Sequence, residues 1–297
     1  MELSVVVVTL NDRERLCRCL DALAARLPRN VEIVVVNGPS SDGTTGTVRE
    51  RPEVDVLVEI AERSHGVARN AGIEHASGGT IAFVGDSYRI ADSWHGAVRA
   101  AVDAGAEIVT GPGAGASGDD RSVDGRRVTP FAGPNVAFDR RTLESLDGFD
   151  EYLSVDDAAD CAHRAAALGH TVTWSPEMAV RPVREADGGR PMADLDGPAD
   201  RYRELAYRLG KNYGPRPHVL ARPLGSAIRD GVANARAVLG GEQKPTGWFA
   251  DGRRVAVATV LGLRDGLRAR YADRSPRRNP DGLSARRDRA VRVYDQR

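Results

Sequence analysis

The sequence of 297 residues predicts an α/β fold, in which a Rossmann-like, mainly parallel sheet is flanked by helices and followed by a C-terminal helical appendage. Two β-branched runs, LSVVVVTL at residues 3–10 and VEIVVV at 31–36, are typical of strands buried on both faces of a parallel sheet. Between them, apolar residues recur at helical spacing. A third apolar run, at 81–84, ends on an acidic turn. This alternation of strands and helices indicates a doubly wound sheet.

The first strand is followed by Asn11 and Asp12, polar residues of the kind that begin a helix. The predicted helix then places its apolar residues on one face, namely Leu16, Cys19, Leu20 and Leu23. The second strand runs into NGPSSDGTT, which is a loop of turn-forming residues.

Residues 59–94 are the most informative part of the chain. A predicted helix at 66–75 combines small residues, which allow close backbone approach, with the donors Arg69 and Asn70. The strand at 81–84 ends on Gly85-Asp86-Ser87, at the position where open α/β sheets bind ligands. Arginine on one side and a carboxylate on the other suit a phosphate-bearing ligand. The alternative is an ordinary strand–helix unit with a solvated aspartate.

Motifs throughout residues 3–183 resemble those of the family 2 glycosyltransferases, which have a GT-A nucleotide-sugar-binding fold. VVVVTLND and VVVNGPSSDGT resemble the family's first two strands, HGVARNAG resembles its Arg-Asn helix, and FVGDS stands where the family has its DxD metal motif. The block FAGPNVAFDRRTLESLDGFDEYLSVDDAADCAHRAAALGHTVTW resembles the acceptor-side block. The motifs occur in the family's order, so the resemblance predicts the GT-A fold specifically.

The resemblance implies a nucleotide-diphosphate sugar as donor substrate, lying across the ends of the first strands. Asn37 replaces the aspartate that usually contacts the base, and an amide donates as well as accepts, so the base remains open. The candidate donor-binding residues are Thr9, Asn11, Asn37, Asp42, Arg69, Asn70, Asp86 and Arg181.

The metal motif departs from the family pattern. Only Asp86 remains as a candidate metal ligand, whereas Mg²⁺ and Mn²⁺ prefer several hard oxygen ligands. We therefore expect a weak or absent requirement for a divalent metal. Arg181 or Arg184 is expected to neutralise the diphosphate in its place, since a guanidinium binds phosphate in bidentate geometry. The alternative is that both arginines are ordinary surface residues.

Asp156, Asp157 and Asp160 form the candidate catalytic block. In the family the base is a carboxylate of an acidic pair, and register with Arg164 places Asp157 on the first member of that pair. The resemblance thus implies Asp157 as general base, with Asp156 as the second candidate. The alternative is that these carboxylates only favour a helix N-terminus.

The predicted domains are a catalytic domain at 1–183 and a basic helical extension at 184–297. The extension carries 24 Lys and Arg against 14 Asp and Glu, or +10, and the rest of the chain carries −10. Helices are predicted near 199–213, 220–239 and 253–271, and residues 275–297 are expected to form a loosely ordered arm. A basic amphipathic helix suits peripheral membrane contact, although it can equally pack on the acidic domain. Nucleic-acid binding is not expected, because aromatic residues are not interleaved with the basic ones.

The resulting prediction is an inverting glycosyltransferase that acts on a glycan acceptor. The whole chain also resembles archaeal glycosyltransferases that extend lipid-linked N-glycans, which implies a polyprenyl-phosphate-linked oligosaccharide acceptor and a cytoplasmic location at the inner membrane face. The alternative is a GT-A-like subunit that has lost catalysis and serves as a scaffold in a glycan-assembly complex. The three cysteines lie in helical contexts without a visible secretory signal, so free thiols are expected.

Overall fold

The computed structural model describes residues 2–115, 118–183, 197–217 and 245–297. Its centre is an eight-stranded sheet with the order β10-β6-β9-β4-β1-β2-β3-β12. These strands are β1 (Leu3–Thr9), β2 (Glu32–Asn37), β3 (Val56–Ile60), β4 (Thr80–Gly85), β6 (Ile108–Thr110), β9 (Asn135–Asp139), β10 (Val172–Trp174) and β12 (Ala290–Asp295). Two small ribbons pair β5 (Tyr88–Ile90) with β11 (Val180–Pro182), and β7 (Arg121–Val123) with β8 (Arg126–Val128).

The sheet is mixed and mainly parallel. Strands β4, β1, β2 and β3 run parallel to one another, as do β6 and β10. Strand β9 is antiparallel to both β4 and β6, and β12 is antiparallel to β3. The predicted mainly parallel sheet is therefore confirmed, and the predicted strands at 3–10, 31–36 and 81–84 correspond to β1, β2 and β4.

Helices cover both faces of the sheet. One core includes residues of α3 (His65–His75), α5 (Arg140–Ser145) and α6 (Asp157–Leu168), and the other includes residues of α1 (Arg13–Arg26) and α4 (Trp94–Asp103). A short helix, α2 (Thr44–Arg49), follows β2. Cys19 and Cys161 are buried in these cores, Cys17 is partly buried, and all three thiols are free as expected.

The chain divides differently from the predicted boundary between residues 183 and 184. The first compact unit comprises residues 1–189 together with 281–297, and the second comprises 190–280. The expectation of a loosely ordered arm at 275–297 is wrong for its last part, because this segment forms a short 3-10 turn at Leu283–Ala285 and the edge strand β12. Backbone pairing with β3 and buried arginine contacts hold it in place.

The second unit contains α7 (Pro198–Tyr213) and α8 (Pro245–Ala272), which correspond to two of the predicted helices. Gly262 and Gly266 of α8 lie so close to the backbone carbonyls of Arg203 and Tyr207 that a Cβ would overlap them, so the two helices pack at short range. The helix predicted near 220–239 lies outside the described residues. Among the helices in the described ranges, none has the length and apolar character needed to cross a membrane.

Candidate functional site

The C-terminal ends of three neighbouring strands define the candidate donor side of the site. Thr9 of β1 lies beside Asn37 of β2, and Val8 of β1 lies beside Gly85 of β4. Asp86 follows Gly85 directly, so Asn37 and Asp86 flank the end of β1 within two strand spacings. This is the edge at which parallel α/β sheets bind ligands.

Two of the predicted donor residues hold loops together in this structure. The Asn11 backbone N–H donates to Ser40 Oγ at 2.8 Å, and its Oδ1 accepts from the Ser41 N–H at 2.7 Å. The Asp42 carboxylate accepts from the Arg13 N–H at 2.9 Å and from the Thr44 N–H at 3.1 Å. These contacts fix the loop after β2 against the start of α1.

Asn37 is also engaged internally. It is 1% exposed, its Oδ1 accepts from Ser40 Oγ at 2.7 Å, and its Nδ2 donates to Thr45 Oγ1 at 3.0 Å. Thr45 in turn donates to Glu59 Oε1 at 2.6 Å. The amide therefore supports the loop after β2, and a nucleotide base can reach it only after this network rearranges.

Asp86 lies in a polar cluster at the turn between β4 and β5. The residue as a whole is only partly buried, but its carboxylate accepts from Ser87 Oγ at 2.9 Å and is enclosed by protein atoms. Burial raises the pKa of Asp86 to about 6, and the nearby Asp12 carboxylate also raises it, against opposing effects of Thr9, Ser87 and Arg15. Thr9 Oγ1 lies close enough for this effect without making a hydrogen bond of good geometry.

The residues around Asp86 do not fit a divalent cation. The described part of the chain contains no group of three or more His, Cys, Asp and Glu side chains suited to a metal ion. Asp12, the other carboxylate of the cluster, forms an ion pair with Arg15 at 2.5 Å. A carboxyl group whose pKa is raised by burial is a weak ligand, since cations bind the deprotonated form. No step is therefore assigned to a metal.

Arg181, the predicted diphosphate ligand, lies on β11 next to this turn. It is exposed and pairs in register with Arg89 of β5, and the Val183 N–H donates to the Ser87 carbonyl at 2.8 Å. Arg184 lies outside the described residues. Arg15 of α1 is a further basic residue within electrostatic range of Asp86. The sequence did not identify Arg15 as a site residue.

A buried ion pair joins the donor-side helix α3 to the acceptor-side helix α6. Arg69 Nη1 contacts Asp157 Oδ2, and the two side chains are 8% and 1% exposed. The Arg69 guanidinium also lies over the Phe149 ring, 5.1 Å from its centroid. A Cβ at Gly133 would overlap this guanidinium, so a larger residue in the loop before β9 would displace the Arg69 side chain. Arg69 is thus buried between α6, Phe149 and the loop before β9, and it orients Asp157.

The three predicted catalytic carboxylates have different surroundings. Asp157 Oδ1 accepts from the Ala158 N–H at 2.8 Å, and Asp156 stands partly exposed at the N-cap position of α6 without a side-chain cap bond. Asp160 is completely buried and accepts from Arg164 Nε at 2.7 Å. Burial alone would lower the pKa of Arg164, but Asp160 raises it above the ordinary value. Asp160 is therefore an ion-pair partner of Arg164 in this structure, and its catalytic role stays a prediction.

Asn70, the residue after Arg69 on α3, holds the turn at residues 147–151. Its Nδ2 donates to the Phe149 carbonyl at 2.9 Å and to Glu151 Oε1 at 2.8 Å. Its Oδ1 accepts from the Phe149 N–H at 2.9 Å. The residue is fully buried and holds this turn, and its predicted contact with the nucleotide stays a prediction.

His65, at the start of α3, was not singled out by the sequence. Burial and the Arg69 guanidinium lower the pKa of His65 to about 4, against an opposing effect of Asp157. A neutral imidazole therefore lies in the neighbourhood of the Arg69–Asp157 pair at physiological pH. From the HGVARNAG motif, only Arg69 and Asn70 were predicted as site residues. The fold shows that His65, the first residue of this motif, lies near Arg69 and Asp157.

Comparison with known proteins assigns the chain to a family. Residues 4–159 match the sequence model of glycosyl transferase family 2, which is more than half of the chain. The chain belongs to glycosyl transferase family 2. The family predicted from the motifs is thereby confirmed.

Two curated relatives show how far this similarity extends. The chain is 27% identical over 198 residues to glycosyltransferase AglE of Haloferax volcanii, covering 59% of this chain and 64% of AglE. It is 33% identical over 86 residues to glycosyltransferase GlyA of Streptococcus pneumoniae, covering 28% of this chain and 12% of GlyA. The chain therefore spans less than two thirds of the length of either relative.

Two solved structures share the fold. The Pyrobaculum calidifontis mannosyltransferase PcManGT, in complex with GDP-Man and Mn²⁺, has a TM-score of 0.56 at 22% identity, covering 92% of this chain and 88% of that one. S. aureus TarS residues 1–349, in complex with UDP-GlcNAc, has a TM-score of 0.60 at 19% identity, covering 92% of each chain. The predicted GT-A architecture is confirmed by these neighbours.

Proposed function

We propose that this glycosyltransferase moves a sugar from a nucleotide-diphosphate sugar to a glycan acceptor with inversion at the anomeric carbon. The observation that carries the proposal is the buried contact between Arg69 and Asp157, which are 88 residues apart in sequence. It joins the helix beside the donor edge to the carboxylates at the start of α6. The nucleotide-sugar complexes of PcManGT and TarS support the same class of donor.

In the proposed reaction, the acceptor hydroxyl oxygen attacks the anomeric carbon as the bond to the diphosphate oxygen breaks. The hydroxyl proton passes to a carboxylate at the start of α6, and the nucleoside diphosphate leaves with the bonding electron pair. We assign the base to Asp157, whose carboxylate keeps acceptor capacity beyond its contacts with Arg69 and the Ala158 N–H. Because Asp157 is 1% exposed, the acceptor must displace a neighbouring group to reach it.

The donor is tested by thermal denaturation of the full chain with UDP-GlcNAc, GDP-Man and, as a control, ATP. A donor at 100 times its dissociation constant is expected to raise the free energy of unfolding by about 2.7 kcal/mol. Failure of all nucleotide sugars to stabilise the protein would contradict donor binding. Stabilisation without release of nucleoside diphosphate, in the presence of glycan acceptors, would instead favour the scaffold alternative.

Metal removal is expected to leave most of the activity in place. The surroundings of Asp86 offer too few hard oxygen ligands, and Arg181 or Arg15 lies close enough to this turn to offset the diphosphate charge. The measurement is transfer activity in EDTA, with Mn²⁺ restored in a parallel sample. Complete loss in EDTA that Mn²⁺ reverses would show that the site recruits a metal after all.

We further propose that α8 binds an anionic membrane surface, at which a polyprenyl-phosphate-linked acceptor would be found. Its exposed face carries basic and apolar residues at helical spacing, namely Arg253, Val257, Val260, Arg264, Arg268 and Tyr271. Val257, Val260 and Tyr271 are 53%, 66% and 62% exposed, which is high for such side chains. Arginine beside exposed apolar residues is the composition of interfacial helices.

Reversing Arg264 and Arg268 together to Glu is expected to weaken binding to anionic vesicles at low salt. Each basic residue near the surface contributes about 1 kcal/mol, so removing two lowers the affinity for the vesicle by about 30-fold or more. Co-sedimentation with phosphatidylserine and phosphatidylcholine vesicles measures it. Arg99→Glu is the matched control, because Arg99 is 65% exposed on α4 of the other unit. Equal retention of wild type by both vesicle types would contradict the membrane proposal.

A further inference from the structure

We propose that residues 281–289, called here the C-terminal brace, position the catalytic centre by holding the turn at residues 147–151. This inference rests on the proposed function in so far as it assigns the Arg69–Asp157 pair to catalysis. The family model ends at residue 159, so the brace lies more than 120 residues beyond the part of the chain that defines the family. Its residues nevertheless form part of the same compact unit.

Arg289 is the centre of the brace. Its side chain is completely buried and forms ion pairs with Glu151 and with Glu74 of α3. Its Nη2 also donates to the Gly282 and Leu283 carbonyls, at 3.0 and 3.1 Å. One guanidinium therefore links three segments, and an ammonium group cannot reproduce this planar set of donors.

Other brace residues hold the same turn. The Ser284 N–H and Oγ both donate to the Asp147 carboxylate at 2.8 Å. The Leu283 N–H donates to the Asp147 carbonyl at 2.8 Å, and the Glu151 N–H donates to the Asp281 carbonyl at 2.9 Å. Both ends of the turn are thus bonded to the brace through the backbone as well as through side chains.

The turn needs this support because of its backbone conformation. Asp147 and Gly148 both have positive φ, at 58° and 64°. An aspartate in the left-handed region is uncommon, and such a conformation persists only where its surroundings hold it. A Cβ at Gly148 would contact Asn70 and Leu283, so α3 and the brace enclose this point from two sides.

The turn at residues 147–151 also contacts the Arg69–Asp157 pair. Phe149 presents its ring to the Arg69 guanidinium, and its backbone is bonded on both sides by Asn70, the next residue along α3. Arg164 of α6 donates to the Leu146 and Gly148 carbonyls. Release of the brace would free the turn, and with it the surface against which Arg69 orients Asp157. Arg289 is therefore a positioning residue that acts through Glu151 and Phe149.

The test compares Arg289→Met and Arg289→Lys with the control Arg297→Met, which removes ion pairs of the same terminal segment outside the brace. Hydrogen exchange is followed in residues 147–158, and release of UDP or GDP from the donor found by thermal shift is measured. We expect Arg289→Met to expose 147–158 to exchange and to lower kcat by about 100-fold, with little change in the donor KM. Arg289→Lys should recover little of this loss, and Arg297→Met should resemble wild type.

If Arg289→Met does not fold, the milder Arg286→Met replaces it, since Arg286 pairs with Glu151 and Glu62 and is 32% exposed. Unchanged exchange in 147–158 in the variant that folds would overturn the proposal, as would loss of protection confined to 281–297. The exchange readout does not depend on the donor, so absence of any turnover in wild type would contradict the proposed function and leave the brace result interpretable.

Discussion

Asp157→Asn is expected to lower turnover by about 10²- to 10⁴-fold while donor binding persists, because the amide keeps an acceptor for Arg69 but cannot take a proton. Asp157 occupies the position that register assigns to the base, and Arg69 holds its carboxylate in a fixed orientation. The measurement is kcat and KM for release of nucleoside diphosphate in the presence of acceptor.

The matched control is Asp156→Asn, at the preceding position and partly exposed. We expect a small loss of turnover from this change. Near-normal turnover in Asp157→Asn together with inactivity in Asp156→Asn would contradict this assignment. Asp156 would then be the base, and Asp157 would serve only as the ion-pair partner of Arg69. Both variants should be assayed at a temperature at which denaturation curves show them folded, because removing one member of a buried ion pair also destabilises the protein.

Arg164→Met is expected to lower the free energy of unfolding by about 3–5 kcal/mol, since it leaves Asp160 buried without its charged partner. The same change also removes the donors to the Leu146 and Gly148 carbonyls. The chain provides a control of identical spacing: Arg99 and Asp103 form an i,i+4 pair whose side chains are 65% and 61% exposed. For Arg99→Met we expect a loss of about 0–1 kcal/mol.

Urea denaturation of wild type and both variants measures the difference. Similar losses of unfolding free energy for Arg164→Met and Arg99→Met would show that the buried ion pair contributes no more to stability than the exposed one. An Arg164 and Asp160 double replacement by apolar residues is expected to be less damaging than Arg164→Met alone, because no charge then remains buried.

The sequence predicted the parts of the fold that depend on local pattern. The runs that form β1, β2 and β4 have a composition that suits buried parallel strands, and α3 follows from its motif. The donor edge could also be predicted, since strand ends meet at one side of a parallel sheet. Local pattern was sufficient here because neighbouring strands are joined by short strand–helix connections.

The roles of individual polar residues could not be predicted in the same way. Asn70 was assigned to the nucleotide, but its partners are the backbone of Phe149 and the carboxylate of Glu151, about 80 positions away. Asp160 was grouped with the catalytic carboxylates, and the sequence did not show that it forms a buried ion pair with Arg164. Arg289 stands in a basic, turn-rich stretch whose composition resembles that of a disordered arm. Its ion-pair partners, Glu74 and Glu151, are distant in sequence and are brought to it only by the fold.

The position of β12 has a consequence for the order in which the protein assembles during synthesis. Strand β12 pairs with β3 across about 235 residues of chain, as in the contact of Tyr294 with Glu59. Strand β3 can therefore gain this neighbour only after residues 290–295 have left the ribosome. Until then its backbone N–H and C=O groups form an open sheet edge, which invites pairing with other chains. Chains that end before residue 290 should thus be recovered mainly as aggregates, although they contain every family motif.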